Sequence, residues 1–148
     1  MENLVDPKEK LVLLVDDDDS ILDLIETVLK KEGFRVARAE DGREAIAKVK
    51  ECSPDLIILD FMLPGMGGFE VLKELQMTEA RNTPVFVITG RKIDSQTIEM
   101  IRNEPNVKDY LEKPVKHVLL MTLLHKTLQT RPPEIQRKQN RGPLSSGW

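Results

Sequence analysis

At 148 residues the chain has room for one domain with a sizeable core, not for two ordinary ones. Apolar residues at 40% and charged residues at 32% are ordinary for a globular protein, and no apolar run approaches the ~20 residues of a membrane helix. Net charge is −3, but Arg131, Arg137, Lys138 and Arg141 against Glu134 give residues 131–148 a net +3, leaving −6 on residues 1–130; an acidic body argues against broad nucleic-acid binding.

The opening "MENLVDPKEK" holds no apolar stretch long enough for a secretory signal, and a cytoplasmic location is expected. "LVLLV" (11–15) then reads as a strand buried on both faces, running into four consecutive aspartates. Ser20 or Asp19 can cap a helix whose core side is Ile21, Leu24, Ile25, Val28 and Leu29, with Gly33 as its stop. "RVARA" (35–39) is the second strand; Asp41 caps a helix carrying Ala45, Ile46 and Val49, with Cys52 a small buried side chain near its end. Cys52 is the single cysteine, so no internal disulfide can form, which suits a reducing compartment. "LIILD" (56–60) and "VFVIT" (85–89) are again nearly unbroken apolar strands, separated by the helix "GFEVLKEL" (68–75). Asp94 or Ser95 opens a fourth helix with Ile98 and Ile101, ended near Pro105. "VKDYL" (107–111) is the fifth strand, and "KHVLLMTLLHKTLQ" (116–129) a fifth helix stopped by Pro132-Pro133. Five strands each followed by a helix predict an α/β fold, a doubly wound parallel sheet with right-handed crossovers and helices on both faces.

In such a sheet the functional crevice lies at the carboxyl ends of the strands. Asp16 and Asp17 end the first strand, Asp60 the third and Thr89 the fourth, while Lys113 follows the fifth. Strand ends are where polar residues begin in any case, but five arriving at one rim point to a site. Clustered carboxylates raise one another's pKa unless a cation intervenes. A hard divalent ion such as Mg²⁺ prefers oxygen ligands and takes one or two carboxylates together with phosphate oxygens. Asp60 would then be available as a nucleophile toward phosphorus, with Lys113 neutralising charge, the Thr89 hydroxyl donating to a phosphoryl oxygen and Gly90 leaving room for the group.

"VDDDDS", "LIILDFMLPGMGGFEVL", "VFVITG" and "DYLEKP", in this order and spacing, resemble the receiver domain of two-component response regulators over about residues 9–130. The resemblance implies a flavodoxin-like sheet in 2-1-3-4-5 order with five helices. It implies phosphoryl transfer to Asp60 from a histidine kinase or phosphotransfer protein, with Lys113 and Thr89 assisting. It further implies Mg²⁺ held by Asp17, Asp60 and the Met62 carbonyl, with Asp16 acting through a water, and a cis bond at Lys113-Pro114. Thr89 and Tyr110 would form a switch, and output would reach a partner protein through the face of helix four, strand five and helix five, including Lys108, Tyr110, Lys116 and His117. Met62 and Arg91 would flank the path of hydrolytic water; Met62 cannot orient that water, so slow self-dephosphorylation is expected. Beyond acting on itself, such a chain is not an enzyme.

Two departures from the family pattern stand out, Gly67 where Asp is frequent and Val115 where Phe is frequent after "KP". Asp18 and Asp19 read as the solvated first turn of a helix, where the dipole favours anions. His117 and His125 read as surface helix residues. Residues 1–8 form a short extension, and 131–148, rich in Pro, Gly, Ser and charge, read as a flexible basic tail or linker stub. No effector segment is legible, so direct DNA contact by this chain is not expected. Rival readings are a haloacid-dehalogenase-type phosphatase using Asp16 and Asp18, a calcium module on "DDDDSILDLIE" that lacks the loop glycine and a late bidentate glutamate at the right place, and a degenerate receiver that only binds partners.

Overall fold

The computed structural model describes residues 3–90 and 92–133. Strands β1 (Leu11–Val15), β2 (Arg35–Ala39), β3 (Leu56–Asp60), β4 (Val85–Thr89) and β5 (Val107–Glu112) alternate with helices α1 (Asp19–Lys31), α2 (Gly42–Cys52), α3 (Gly68–Gln76), α4 (Ser95–Arg102) and α5 (His117–Leu128). All strand pairs are parallel, in the order β2-β1-β3-β4-β5. This is the predicted doubly wound sheet; only β5 runs one residue further than its apolar pattern indicated.

Period-two alternation divides the core in two. Leu13, Val15, Ile57, Leu59, Val85 and Val87 face one layer, meeting Ala45, Ile46 and Val49 of α2, Val71, Leu72 and Leu75 of α3, and Ile101 of α4. Their neighbours Val12, Leu14, Leu56, Ile58, Phe86 and Ile88 face the other, meeting Leu22, Ile25 and Leu29 of α1 and Leu120, Leu124 and Leu128 of α5. β1 is apolar throughout, and β3 and β4 are apolar up to their last residues, Asp60 and Thr89, because both faces are covered; each such apolar side chain contributes about 1.5–3 kcal/mol by leaving water.

Helix ends follow capping chemistry, with four corrections to the sequence reading. Asp18, not Asp19 or Ser20, caps α1, its carboxylate accepting from the Ser20 and Ile21 amides. Leu22 rather than Leu24 completes the buried stripe with Ile25 and Leu29; Leu24 is exposed, two residues and therefore roughly 200° round from Leu22. α5 ends at Leu128, close to its expected end, but its stop is Gln129 at φ 57°, a left-handed cap that satisfies the His125 carbonyl, and not the prolines. His125 is buried, not on the surface: its Nδ1 lies 2.7 Å from the Thr130 hydroxyl and its ring 5.2 Å from that of Phe34. Asp41 and Asp94 cap α2 and α4 as expected, Gly33 adopts φ 104° just past α1, and Cys52 is half-buried at the end of α2.

Val5, ahead of β1, is tied to the chain just past α5. Val5 pairs in parallel with Thr130; its amide donates to the Gln129 carbonyl (3.0 Å) and its carbonyl accepts from the Arg131 amide (2.9 Å). Residues 134–148, most of the expected tail, lie outside the described residues.

Candidate functional site at the carboxyl rim of the sheet

Backbone bonds just past the strands set the rim. The Asp16 amide continues the β1–β2 ladder by donating to the Ala39 carbonyl (3.2 Å), the Phe61 amide donates to Ile88 (2.9 Å), and the Lys113 amide donates to Thr89 (2.8 Å). Register pairs Asp60 with Ile88 and Thr89 with Glu112. Side chains at these ends therefore converge whatever their chemistry, and here they are Asp16, Asp60, Thr89 and Lys113.

Asp16 (2% exposed), Asp60 (3%) and Thr89 (1%) are buried, whereas Asp17 is exposed. Lys113 Nζ lies 2.8 Å from Asp16 Oδ2 and 3.2 Å from Asp60 Oδ2. The other oxygens are held by main-chain donors: Asp16 Oδ1 accepts from the Asp18 amide and Asp60 Oδ1 from the Met62 amide, both at 2.9 Å. Each buried carboxylate is thus gripped on one side by backbone and on the other by a shared ammonium. The Lys113-Pro114 bond is cis, as expected. A Cβ at Gly90 would stand 3.3 Å from Lys113 Cδ, so the glycine makes space for the lysine stem.

One ammonium does not balance three acids. Burial pushes the Asp16 carboxyl above the usual carboxylate range; the Lys113 hydrogen bond pulls the other way, and the Asp60 charge adds to the rise. Burial pulls Lys113 down, but its contacts with Asp16 and Asp60 outweigh this and hold it above the ordinary lysine value. Oxygens of Asp16, Asp17 and Asp60 lie within 4.8 Å of one another. Three hard oxygen donors with surplus negative charge, one of them open to solvent, suit a small divalent cation such as Mg²⁺.

Other expected residues divide. Met62 is 46% exposed and lines a cleft of about 590 Å³ with Asp17, Phe61, Leu63, Pro64 and Phe69. Tyr110 is half-buried, opposite Val87 in the β4–β5 register, with the Arg102 guanidinium 5.8 Å from its ring centre. Burial, with Glu112 nearby, pushes its hydroxyl above the usual tyrosine range. Lys108, Lys116 and His117 are exposed, and Arg91 lies outside the described residues. Sequence reasoning missed the Asp18 and Met62 amides, because main-chain donors leave no mark on residue type. Asp18 itself is committed to capping α1, which disfavours both the phosphatase and the calcium-module readings.

A parallel 2-1-3-4-5 sheet with buried aspartates and a lysine at its carboxyl rim defines the class, a receiver of the CheY type. A family model described as response regulator receiver domain matches residues 12–125. The chain belongs to that family, whose members are modules of two-component signal transduction. Among curated proteins, the transcriptional regulatory protein AfsQ1 of Streptomyces coelicolor is 38% identical over 105 residues, covering 71% of this chain and 45% of its own length. The DNA-binding response regulator MtrA of Mycolicibacterium smegmatis is 35% identical over 113 residues, covering 76% and 47%. The chain therefore spans about half the length of these relatives. Among solved structures, the chemotaxis response regulator CheY4 of Vibrio cholerae superposes with TM-score 0.72 at 30% identity, covering 85% of this chain and all of that one. The receiver domain of sensor histidine kinase PA1611 from Pseudomonas aeruginosa, solved with a magnesium ion coordinated in its active-site cleft, gives TM-score 0.72 at 27% identity over 80% and 97%. Among the described residues no helix is long and apolar enough to cross a membrane.

Proposed function

We propose that Asp60 accepts a phosphoryl group from a phosphohistidine of a histidine kinase or phosphotransfer protein in the cytoplasm. The observation that carries this is the grip on Asp60: one oxygen fixed by the Met62 amide, the other 3.2 Å from Lys113. An Asp60 oxygen attacks phosphorus, the bond from phosphorus to the donor imidazole nitrogen breaks, and that nitrogen leaves with its electron pair. Asp17, Asp60 and the Met62 carbonyl would hold Mg²⁺ directly and Asp16 through a water; when bound, the ion neutralises charge on the transferring oxygens. Lys113 turns from the carboxylates toward the new phosphoryl oxygens, and the Thr89 hydroxyl donates to one of them. Drawing Thr89 toward the phosphoryl group lets Tyr110 move inward, biasing the α4–β5–α5 face, with Lys108, Lys116 and His117, toward an effector protein.

The domain is taken as residues 9–130. DNA binding belongs to the relatives named for it; the acidic charge of residues 1–130 supports a receiver that does not itself touch DNA. Incubation with acetyl phosphate and Mg²⁺ followed by intact-mass measurement tests the reading. The wild-type chain should gain one phosphoryl group and the Asp60→Asn variant none; equal gain, or no gain in either, would overturn it.

A further inference from the structure

Between the acceptor Asp60 and the proposed carbonyl ligand Met62 stands one residue, Phe61, whose surroundings are unusually restrictive. Its amide donates to Ile88 on β4 (2.9 Å) and its carbonyl accepts from the Gly68 amide at the start of α3 (3.1 Å). Its ring meets Phe69 edge-on, with centres 5.0 Å apart and planes at 86°. The same ring lies across Gly68 so closely that a Cβ there would overlap it, coming within 2.8 Å of Cε1. A methyl group at Gly68 and the Phe61 ring in this position cannot coexist, so either the ring or the loop must shift.

We propose that the Phe61–Gly68–Phe69 brace is a positioning device for the metal site. By locking the residue between Asp60 and Met62, it sets the direction in which the Met62 carbonyl and the Asp60 carboxylate present their oxygens. Phe61 is thus a positioning residue that acts through its two neighbours. The brace also walls the cleft in which Asp17 is exposed, so a displaced ring changes the entry side of the same site. This rests on the reading of Asp60 and Met62 as ligands of Mg²⁺.

Calorimetric titration with Mg²⁺, no phosphodonor present, tests it, with thermal midpoints taken on the same samples. Phe61→Ala should weaken Mg²⁺ binding about tenfold, the scale on which supporting groups around a metal act. Phe61→Tyr, which keeps the ring, should restore affinity. Gly68→Ala should also weaken binding, yet add nothing in the Phe61→Ala background, where the obstructing ring is gone; Phe69→Ala serves if Phe61→Ala fails to fold. Unchanged Mg²⁺ affinity in the ring-removing variants, even with lowered midpoints, would overturn the brace, as would full additivity of Phe61→Ala with Gly68→Ala. If the wild-type chain took up no Mg²⁺, the site reading would fall; wild-type uptake with unaltered variants would remove the brace alone.

Discussion

Gly67 caps α3 without a side chain, so the first turn of that helix lacks the carboxylate that Asp18, Asp41 and Asp94 supply to α1, α2 and α4. Its φ of −73° and ψ of 170° suit any residue, and a Cβ there meets nothing within 4 Å. Gly67→Asp should therefore stabilise the fold by about 0.5–1 kcal/mol, from a new cap and a less flexible unfolded chain, read as a higher urea midpoint at unchanged slope. Met62, half-exposed beside the proposed acceptor Asp60, has a thioether that orients no water. Met62→Asn should speed loss of phosphate from the phosphorylated chain severalfold; a decay rate equal to wild type would refute the flanking role. At this scale the rim was legible, since Asp16, Asp60, Thr89 and Lys113 each stand at or just past a recognisable strand end. Leu22 against Leu24 and the burial of His125 were not, because helical phase depends on which residue caps the helix and the burial of His125 on the Phe34 ring and Thr130 hydroxyl packed against it.

Strands and most helices could be read because doubly covered strands are apolar up to the rim and the starts of α1, α2 and α4 carry an aspartate. The N-terminal strap could not. Its link to the end of α5 is made by backbone groups of Val5, Gln129 and Arg131, together with an Arg131 guanidinium bond to the Leu4 carbonyl at 2.9 Å. Main-chain pairing of a single residue has no compositional period, and the left-handed turn at Gln129 that stops α5 is not encoded in that residue's type. Removing residues 1–6 should release the Arg131 amide from its Val5 partner. Hydrogen exchange at Arg131 should rise sharply and folding stability fall by about 1–2 kcal/mol, the net worth of the hydrogen bonds lost. Exchange at Arg131 unaffected by the truncation would show that Val5 holds nothing there.

For the molecule as a whole, the rim is a standing cost that the proposed cation would relieve. Two buried carboxylates share one lysine, so neutralising one of them removes their mutual repulsion and leaves Lys113 paired with the other. Asp60→Asn should thus raise the stability of the metal-free protein, by about 1–2 kcal/mol. The effect has a pH signature. Burial, opposed by Lys113 and reinforced by the Asp60 charge, holds Asp16 above its ordinary value of 3.8. The folded state then binds this proton more tightly than the unfolded state, so the contribution is fully present below the ordinary value and is lost as pH rises through the folded one. Removing the Asp60 charge removes one cause of the rise and shrinks that loss, so the variant's advantage should widen from about pH 4 upward. Mg²⁺ should reverse the order: at a concentration one hundred times its dissociation constant it adds about 2.7 kcal/mol to the wild-type chain, and less to a variant missing one of the three carboxylates. Chemical denaturation of both proteins across this pH range, with and without Mg²⁺, reads both effects. A wild-type chain more stable than Asp60→Asn without metal would mean that Lys113 and the Met62 amide already satisfy Asp60, and that the rim needs no cation to hold it.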